Sequence, residues 1–394
     1  MKALEGVTVI DFTQTYSGPF CTMQLADFGA KVIKIERKGV GDAARFWPPF
    51  HHGHSGYFAA VNRNKLSMEL DLTSKAGIEI AERLIKSADI VVECFKPGTM
   101  EKLGLGYEAV IKYNPEIIYA SLSGYGQSGP MKTQPAYDNV IQAMSGLVDM
   151  TGFPELPPVK AGPAVSDSLA GLNMGLAIVM AYYHKLNTGQ GQWIDVAMLD
   201  SLFGILESPI MFDSLLDCTV SRCGNNDAAT LVPYDAYPCK DGYFAVGLAG
   251  ESGWDKFTAV MGRPELEKDS RFSSNALRCM NFKVLDPILQ SFFIDKTREE
   301  LQQAFTAVGI PNAPVLSVPE IMTHQQLKDR NMLIAIKDRG VGDYVAMGNP
   351  MNMDQSPPTY EKGAPLLGED TEDILKQYGF AADQIIAYRN AGVI

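Results

Sequence analysis

The residues best equipped for chemistry stand together in Gly162-Pro163-Ala164-Val165-Ser166-Asp167-Ser168-Leu169-Ala170-Gly171. Residues 158–161 read as a strand-like approach. Residues 169–183, apolar apart from Gly171, Asn173 and Gly175, read as a mostly buried helix. Ser166 or Asp167 then sits at the helix start, where unpaired N–H groups and partial positive charge favour an anion. The Ala, Ser and Gly neighbours leave the carboxylate open to approach. An ionised, uncrowded carboxylate is what attack on an activated acyl group requires. Ser and Asp are also the preferred N-cap residues, so by itself this stretch reads first as a cap. The rest of the chain has to decide.

The elements that would position Asp167 are those of an α/β protein. Residues 7–11 (VTVID) form a short buried strand, a loop follows, Pro19 opens a helix ending near Gly29, and residues 31–36 (KVIKIE) form a second strand. Strand, loop, helix and strand in this length make a βαβ unit with parallel strands. The loop Thr13-Gln14-Thr15-Tyr16-Ser17-Gly18-Pro19 lacks the G-x-G-x-x-G pattern. Its backbone therefore cannot approach a pyrophosphate closely, which argues against a nicotinamide-dependent dehydrogenase. Further strands at 65–72, 89–93, 117–122 and 191–197 alternate with helices, one of them capped by Thr73 or Ser74. The expected fold is a doubly wound, Rossmann-like large domain over 1–222. In such sheets ligands bind beyond the carboxyl ends of the strands. The loops there carry Arg37, Lys38 and Lys96, with Lys102 close behind and Phe95 among them. This set suits a nucleotide with phosphates and a ring, although surface loops carry lysine anyway.

Residues 198–212 read as one long apolar helix, and the polar run 221–229 as a linker. A smaller α+β domain over 223–331 opens with a hairpin at Asp241-Gly242. The segment 332–394 has too little apolar content to stand alone and is expected to return to the large domain.

A formal net charge of −12 argues against a nucleic-acid partner. No apolar run is expected to span a membrane, and residues 1–6 lack the layout of a secretory signal. The six cysteines are scattered and read as reduced thiols of a cytoplasmic protein. His51, His52 and His54 have no acidic or thiol partner at ligand spacing, so no metal site is expected.

Nearly end to end, the chain resembles the class III CoA-transferases, the CaiB/BaiF or formyl-CoA transferase family. The matching stretches include Leu4-Glu5-Gly6-Val7, Gly29-Ala30-Lys31-Val32-Ile33-Lys34-Ile35-Glu36, Leu70-Asp71-Leu72, Glu93-Cys94-Phe95-Lys96-Pro97-Gly98, Gly124-Tyr125-Gly126, Thr188-Gly189-Gln190-Gly191-Gln192 and Gly309-Ile310-Pro311. Pro97-Gly98-Thr99-Met100-Glu101-Lys102-Leu103-Gly104 and Arg271-Phe272-Ser273-Ser274-Asn275 are most similar to the acetyl-CoA:oxalate subgroup. The resemblance implies an interlocked, ring-like homodimer with Asp167 as nucleophile. It implies CoA contacts at Thr15, Tyr16, Arg37, Leu70, Leu72, Thr73, Cys94, Phe95, Lys102, Tyr137 and Met198. It further implies coenzyme A and acyl-CoA as substrates rather than resident cofactors, and a small carboxylic acid as acceptor. Acetyl-, succinyl- or formyl-CoA would be the donor. Tyr16 departs from a Gln or Asn that many members use to hold an oxyanion, Cys94 from Asn and Lys102 from Arg. The alternatives are a 2-methylacyl-CoA racemase of the same fold, which in the family has histidine where this chain has Tyr137, and a non-catalytic CoA-binding protein.

Overall fold

The structure, a computed structural model, describes residues 1–227 and 229–394. The chain forms two compact units. The first comprises Met1–Ser145, Ala161–Ile205 and Gln325–Ile394, the second Gly146–Lys160 and Leu206–His324. The divisions thus fall at 205/206 and 324/325, where the sequence suggested 222/223 and 331/332.

Six parallel strands make the sheet of the first unit: β1 (Thr8–Asp11), β2 (Lys31–Arg37), β3 (Leu66–Leu70), β4 (Ile90–Glu93), β5 (Ile118–Ser123) and β6 (Gln192–Ala197). Their order is β3-β2-β1-β4-β5-β6, with Thr8 opposite Lys31 on one side of β1 and Val9 opposite Ile90 on the other. This is the strand order of dinucleotide-binding sheets, whose order reverses between β1 and β4. The inner strands are short Val/Ile runs because both faces are covered: Val9, Ile10, Val32, Ile33, Val91 and Val92 are all buried. The connecting helices needed below are α1 (Ser17–Asp27), α2 (Gly56–Asn62), α3 (Lys75–Lys86), α4 (Asp138–Met144), α5 (Val165–Thr188) and α6 (Met198–Phe203). Ser74 caps α3, its Oγ accepting from Gly77 N–H at 3.0 Å.

The last part of the chain belongs to this unit. Ile374 and Leu375 enter the same core as Ile10, Ile33, Met68 and Leu84. The segment also covers the outer edge of β3. Ser67 N–H donates to Asp370 Oδ2 at 2.8 Å, Glu69 N–H to Thr371 Oγ1 at 3.1 Å, and Asp71 N–H to the Val393 carbonyl at 2.8 Å. These bonds satisfy an edge that would otherwise present free donors.

Three sequence expectations change. Residues 158–161 form no strand; prolines flank them, and Ala161 N–H pairs with Gln142 Oε1 at 2.9 Å. Helix α5 is longer than expected and not mostly buried: Leu176, Met180, Tyr183 and Leu186 are each more than half exposed. By length and composition it could cross a membrane. The long helix expected over 198–212 breaks into α6 and a helix Ser208–Leu216. Gly204 lies between them, and Glu207 takes a φ of 47° before Pro209.

The second unit carries an antiparallel sheet of Tyr234–Cys239, Gly242–Gly247 and Asn312–Pro314. Gly242 takes a φ of 146° at the expected hairpin turn. Stacked aromatics fill its core, with Tyr237 and Phe293 rings 4.4 Å apart. Residue 228, within the expected linker, lies outside the described residues. Within the same run, Gly224 N–H bonds the Gly152 carbonyl at 2.9 Å, so 224 is tied into this unit.

Candidate active site

Strand β1 delivers the chain into the loop 12–16, and buried charges hold that loop. Asp11 is fully buried; its Oδ1 accepts from Thr13 N–H at 2.8 Å and its Oδ2 from Thr22 Oγ1 at 2.7 Å. Lys65 Nζ lies 3.2 Å from Asp11 Oδ2 and donates to the Pro19 carbonyl at 2.9 Å. Lys34 Nζ donates to the Thr13 carbonyl at 2.7 Å and pairs with Asp42 Oδ2 at 2.8 Å. Asp42 Oδ1 in turn accepts from Thr15 N–H at 2.9 Å. Burial raises the Asp42 carboxyl, but the Lys34 ammonium outweighs it and holds the group below its ordinary range. Burial pushes the Lys65 ammonium down to about 8 against the pull of Asp11. The charges of this network are buried and paired with one another, so removing one strands another; such losses cost roughly 3–5 kcal/mol. The network keeps Thr15 in the left-handed region, φ 68°, and directs Tyr16 and Ser17 toward α5.

Asp167 is the third residue of α5, after the N-cap Ala164, which makes no side-chain cap bond. The cap reading of Asp167 is therefore corrected. The clasp comes instead from α4, where Asp138 Oδ1 accepts from Ser166 N–H at 2.9 Å and Ser166 Oγ at 2.7 Å. Gln142 Nε2 donates to the other Asp138 oxygen at 2.6 Å. Asp167 is left free of backbone duties, and its Oδ1 accepts a hydrogen bond from Ser17 Oγ. Burial pushes its carboxyl up to about 6; the Ser17 bond lowers it and the Asp138 charge raises it. The helix start does not make it an unusually strong acid, as the sequence suggested. It remains mostly ionised at neutral pH.

Asp167 opens into a cavity of about 590 Å³ within the first unit. Thr15, Tyr16, Cys94, Phe95, Tyr137 and Met198 line it with Asp167, from loops after β1 and β4 and from the starts of α4 and α6. The site lies at the reversal of strand order. The other expected contacts fall outside its walls. Leu70 is buried in the core, and Leu72 packs against it. Arg37, the last residue of β2, is exposed, as are Thr73 and Lys102 beyond the strand ends. Trp47 lines the cavity and meets the Tyr57 ring edge-on at 5.2 Å, whereas Phe46 does not line it. Burial, and then the Asp167 charge, push the Tyr57 phenol up to about 12, so it keeps its proton as a donor. Ser17, Tyr57 and Lys132 were not anticipated. Ser17 and Tyr57 reach the site through tertiary packing, and Lys132 stands in an irregular segment with no motif. No described residue lining the cavity is a histidine, so the base expected of a racemase is absent from these walls. Among the described residues no cluster suits a metal ion.

A doubly wound sheet with an open carboxylate at its strand-order reversal defines an α/β enzyme site. Comparison gives it a family. The profile of CoA-transferase family III matches residues 4–371, and the chain belongs to that family. Succinyl-CoA:glutarate CoA-transferase of Mus musculus is 35% identical over 378 residues, 96% of this chain and 86% of the mouse protein. Acetyl-CoA:oxalate CoA-transferase of Acetobacter aceti is 36% identical over 376 residues, 95% of each chain. The crystal structure of a CaiB/BaiF family protein from Brucella suis superposes with a TM-score of 0.85 at 32% identity, covering 96% of this chain and 99% of that one. The chain is a class III CoA-transferase.

Proposed function

We propose that the enzyme moves CoA from an acyl-CoA to a small carboxylic acid through a thioester on Asp167. The observation that carries this reading is an unclasped carboxylate at a helix start, facing a cavity that also holds Phe95 and Lys96. An Asp167 oxygen attacks the donor thioester carbonyl; the C–S bond breaks, leaving a mixed anhydride and CoA thiolate. The thiolate attacks the aspartyl carbon, the anhydride C–O bond breaks, and the donor acid departs. The acceptor carboxylate then attacks the aspartyl thioester and expels the thiolate. The thiolate finally takes the acyl group of the new anhydride and frees Asp167. No net proton is exchanged, and water must stay out, because hydrolysis would discard the thioester's energy.

The cavity walls suit the pantetheine and nucleotide ends of CoA. Thr15, Tyr16, Cys94, Phe95, Tyr137 and Met198 form the inner contacts. Arg37, Thr73 and Lys102 serve the phosphates from outside, with Leu70 and Leu72 offering backbone. The relatives' names support acetyl- or succinyl-CoA as donor and a dicarboxylic acid such as oxalate or glutarate as acceptor; formyl-CoA remains within the same chemistry. The exposed apolar face of α5 supports an interlocked homodimer as the working form. Six unpaired thiols fit a cytoplasmic setting.

Asp167→Ala is expected to abolish transfer while circular dichroism stays native-like. Hydroxylamine added with acyl-CoA should leave a hydroxamate on Asp167 of the unmodified enzyme, read by peptide mass spectrometry. A fully active alanine variant would overturn the proposal.

A further inference from the structure

Tyr16 and Ser17 both reach toward the first turn of α5, but they do different things there. The Tyr16 hydroxyl accepts from Ser168 Oγ at 3.4 Å. Ser17 Oγ instead donates directly to Asp167 Oδ1. Ser17 is the first residue of α1 and is nearly buried, so its hydroxyl has little competition from water. The approach depends on Gly171, one turn along α5. A Cβ there would lie 2.6 Å from the Ser17 carbonyl oxygen and 3.1 Å from the Phe20 ring. The two helices touch where a side chain is missing, and that brings Ser17 within reach of Asp167.

We propose that the Ser17 hydroxyl is the hydrogen-bond donor that holds the aspartyl carbonyl oxygen while CoA thiolate adds to and leaves the Asp167 carbon. This rests on the thioester reading above. In the resting enzyme Ser17 occupies Oδ1, which leaves Oδ2 to attack the donor. When the thiolate adds to the anhydride, the C–S bond forms, and the carbonyl electron pair moves onto Oδ1, where Ser17 already donates. The pair returns as the C–O bond to the donor acid breaks. When the acceptor carboxylate adds to the thioester, the same oxygen takes the charge a second time. The proton stays on Ser17 throughout. A donor aimed in advance at the oxygen that becomes charged is the arrangement that lowers such barriers.

Ser17→Ala is expected to lower kcat by about 10²-fold, the usual loss for one such donor. The KM for acyl-CoA should change no more than about threefold, because the hydroxyl serves the reacting carbon and not the nucleotide. On long incubation with acyl-CoA, Asp167 should still acquire the CoA adduct, read by peptide mass spectrometry. Ser17→Thr keeps the hydroxyl and should recover at least about a tenth of kcat. Unchanged kcat in the alanine variant overturns the Ser17 role while leaving the Asp167 reading intact. A folded threonine variant as slow as the alanine variant also overturns it. Failure of the unmodified enzyme to form any adduct at Asp167 removes both proposals together.

Discussion

Burial and the Asp138 charge work against ionising Asp167, and Ser17 works for it; the result is a carboxyl near 6. The folded state therefore binds a proton on Asp167 more readily than the unfolded chain, whose value is 3.8. Between those values stability falls as pH rises, and above them the ionised carboxylate is a standing cost. After discounting for the open cavity, that cost is about 1–2 kcal/mol. Asp167→Asn is thus expected to melt a few degrees higher than the parent at pH 7 and to lose that gain near pH 4, by scanning calorimetry. An equal gain at both pH values would mean that burial of the charge is not its source. Asp167 was legible in sequence because a polar triplet between small residues and an apolar run is a local pattern. Ser17 was not, since it stands 150 residues away and meets Asp167 only through helix packing. The Ser166 amide likewise gives no hint in sequence that Asp138 binds it, so the stretch read by itself could not separate a cap from a nucleophile.

The junction of α1 and α5 carries the site, and Gly171 is its narrowest point. Gly171→Ala would drive a methyl group against the Ser17 carbonyl, a backbone atom that cannot step aside cheaply. Overpacking of this kind costs about 1–3 kcal/mol. The helices must also separate, so kcat should fall more than the melting temperature alone would suggest. Steady-state kinetics well below the variant's melting temperature checks this; unaltered kcat would show that the contact tolerates a side chain. The strands of the sheet were legible to within a residue or two, because runs such as VVE and TVID admit few other readings. The helix 198–212 was misjudged because apolar content says nothing about where a chain bends. Gly204, Glu207 and Pro209 interrupt it there, and only the glycine and proline are visible as punctuation.

At the scale of the molecule, the sequence conveyed two units and the return of the last segment to the first. It placed the first boundary too late, because the polar run 221–229 looked like a linker while the chain had already entered the second unit by Leu206. The proposed homodimer is testable at the same scale. Sedimentation equilibrium should give twice 43.0 kDa at micromolar concentration. Charged residues placed at Leu176 and Met180 should shift it toward the single chain. A monomer under all conditions would leave the outer face of α5 without its proposed cover. The clasp on β3 bears on how the chain comes off the ribosome. Strand β3 is complete at Leu70, but Asp370, Thr371 and Val393, which seal its border, are made about 300 residues later. At translation speeds of about 5–20 residues per second, that interval is roughly 15–60 s. Throughout it the nascent sheet carries an unsealed margin, so yield in a cell should depend on chaperone supply during elongation more than on the stability of the finished protein.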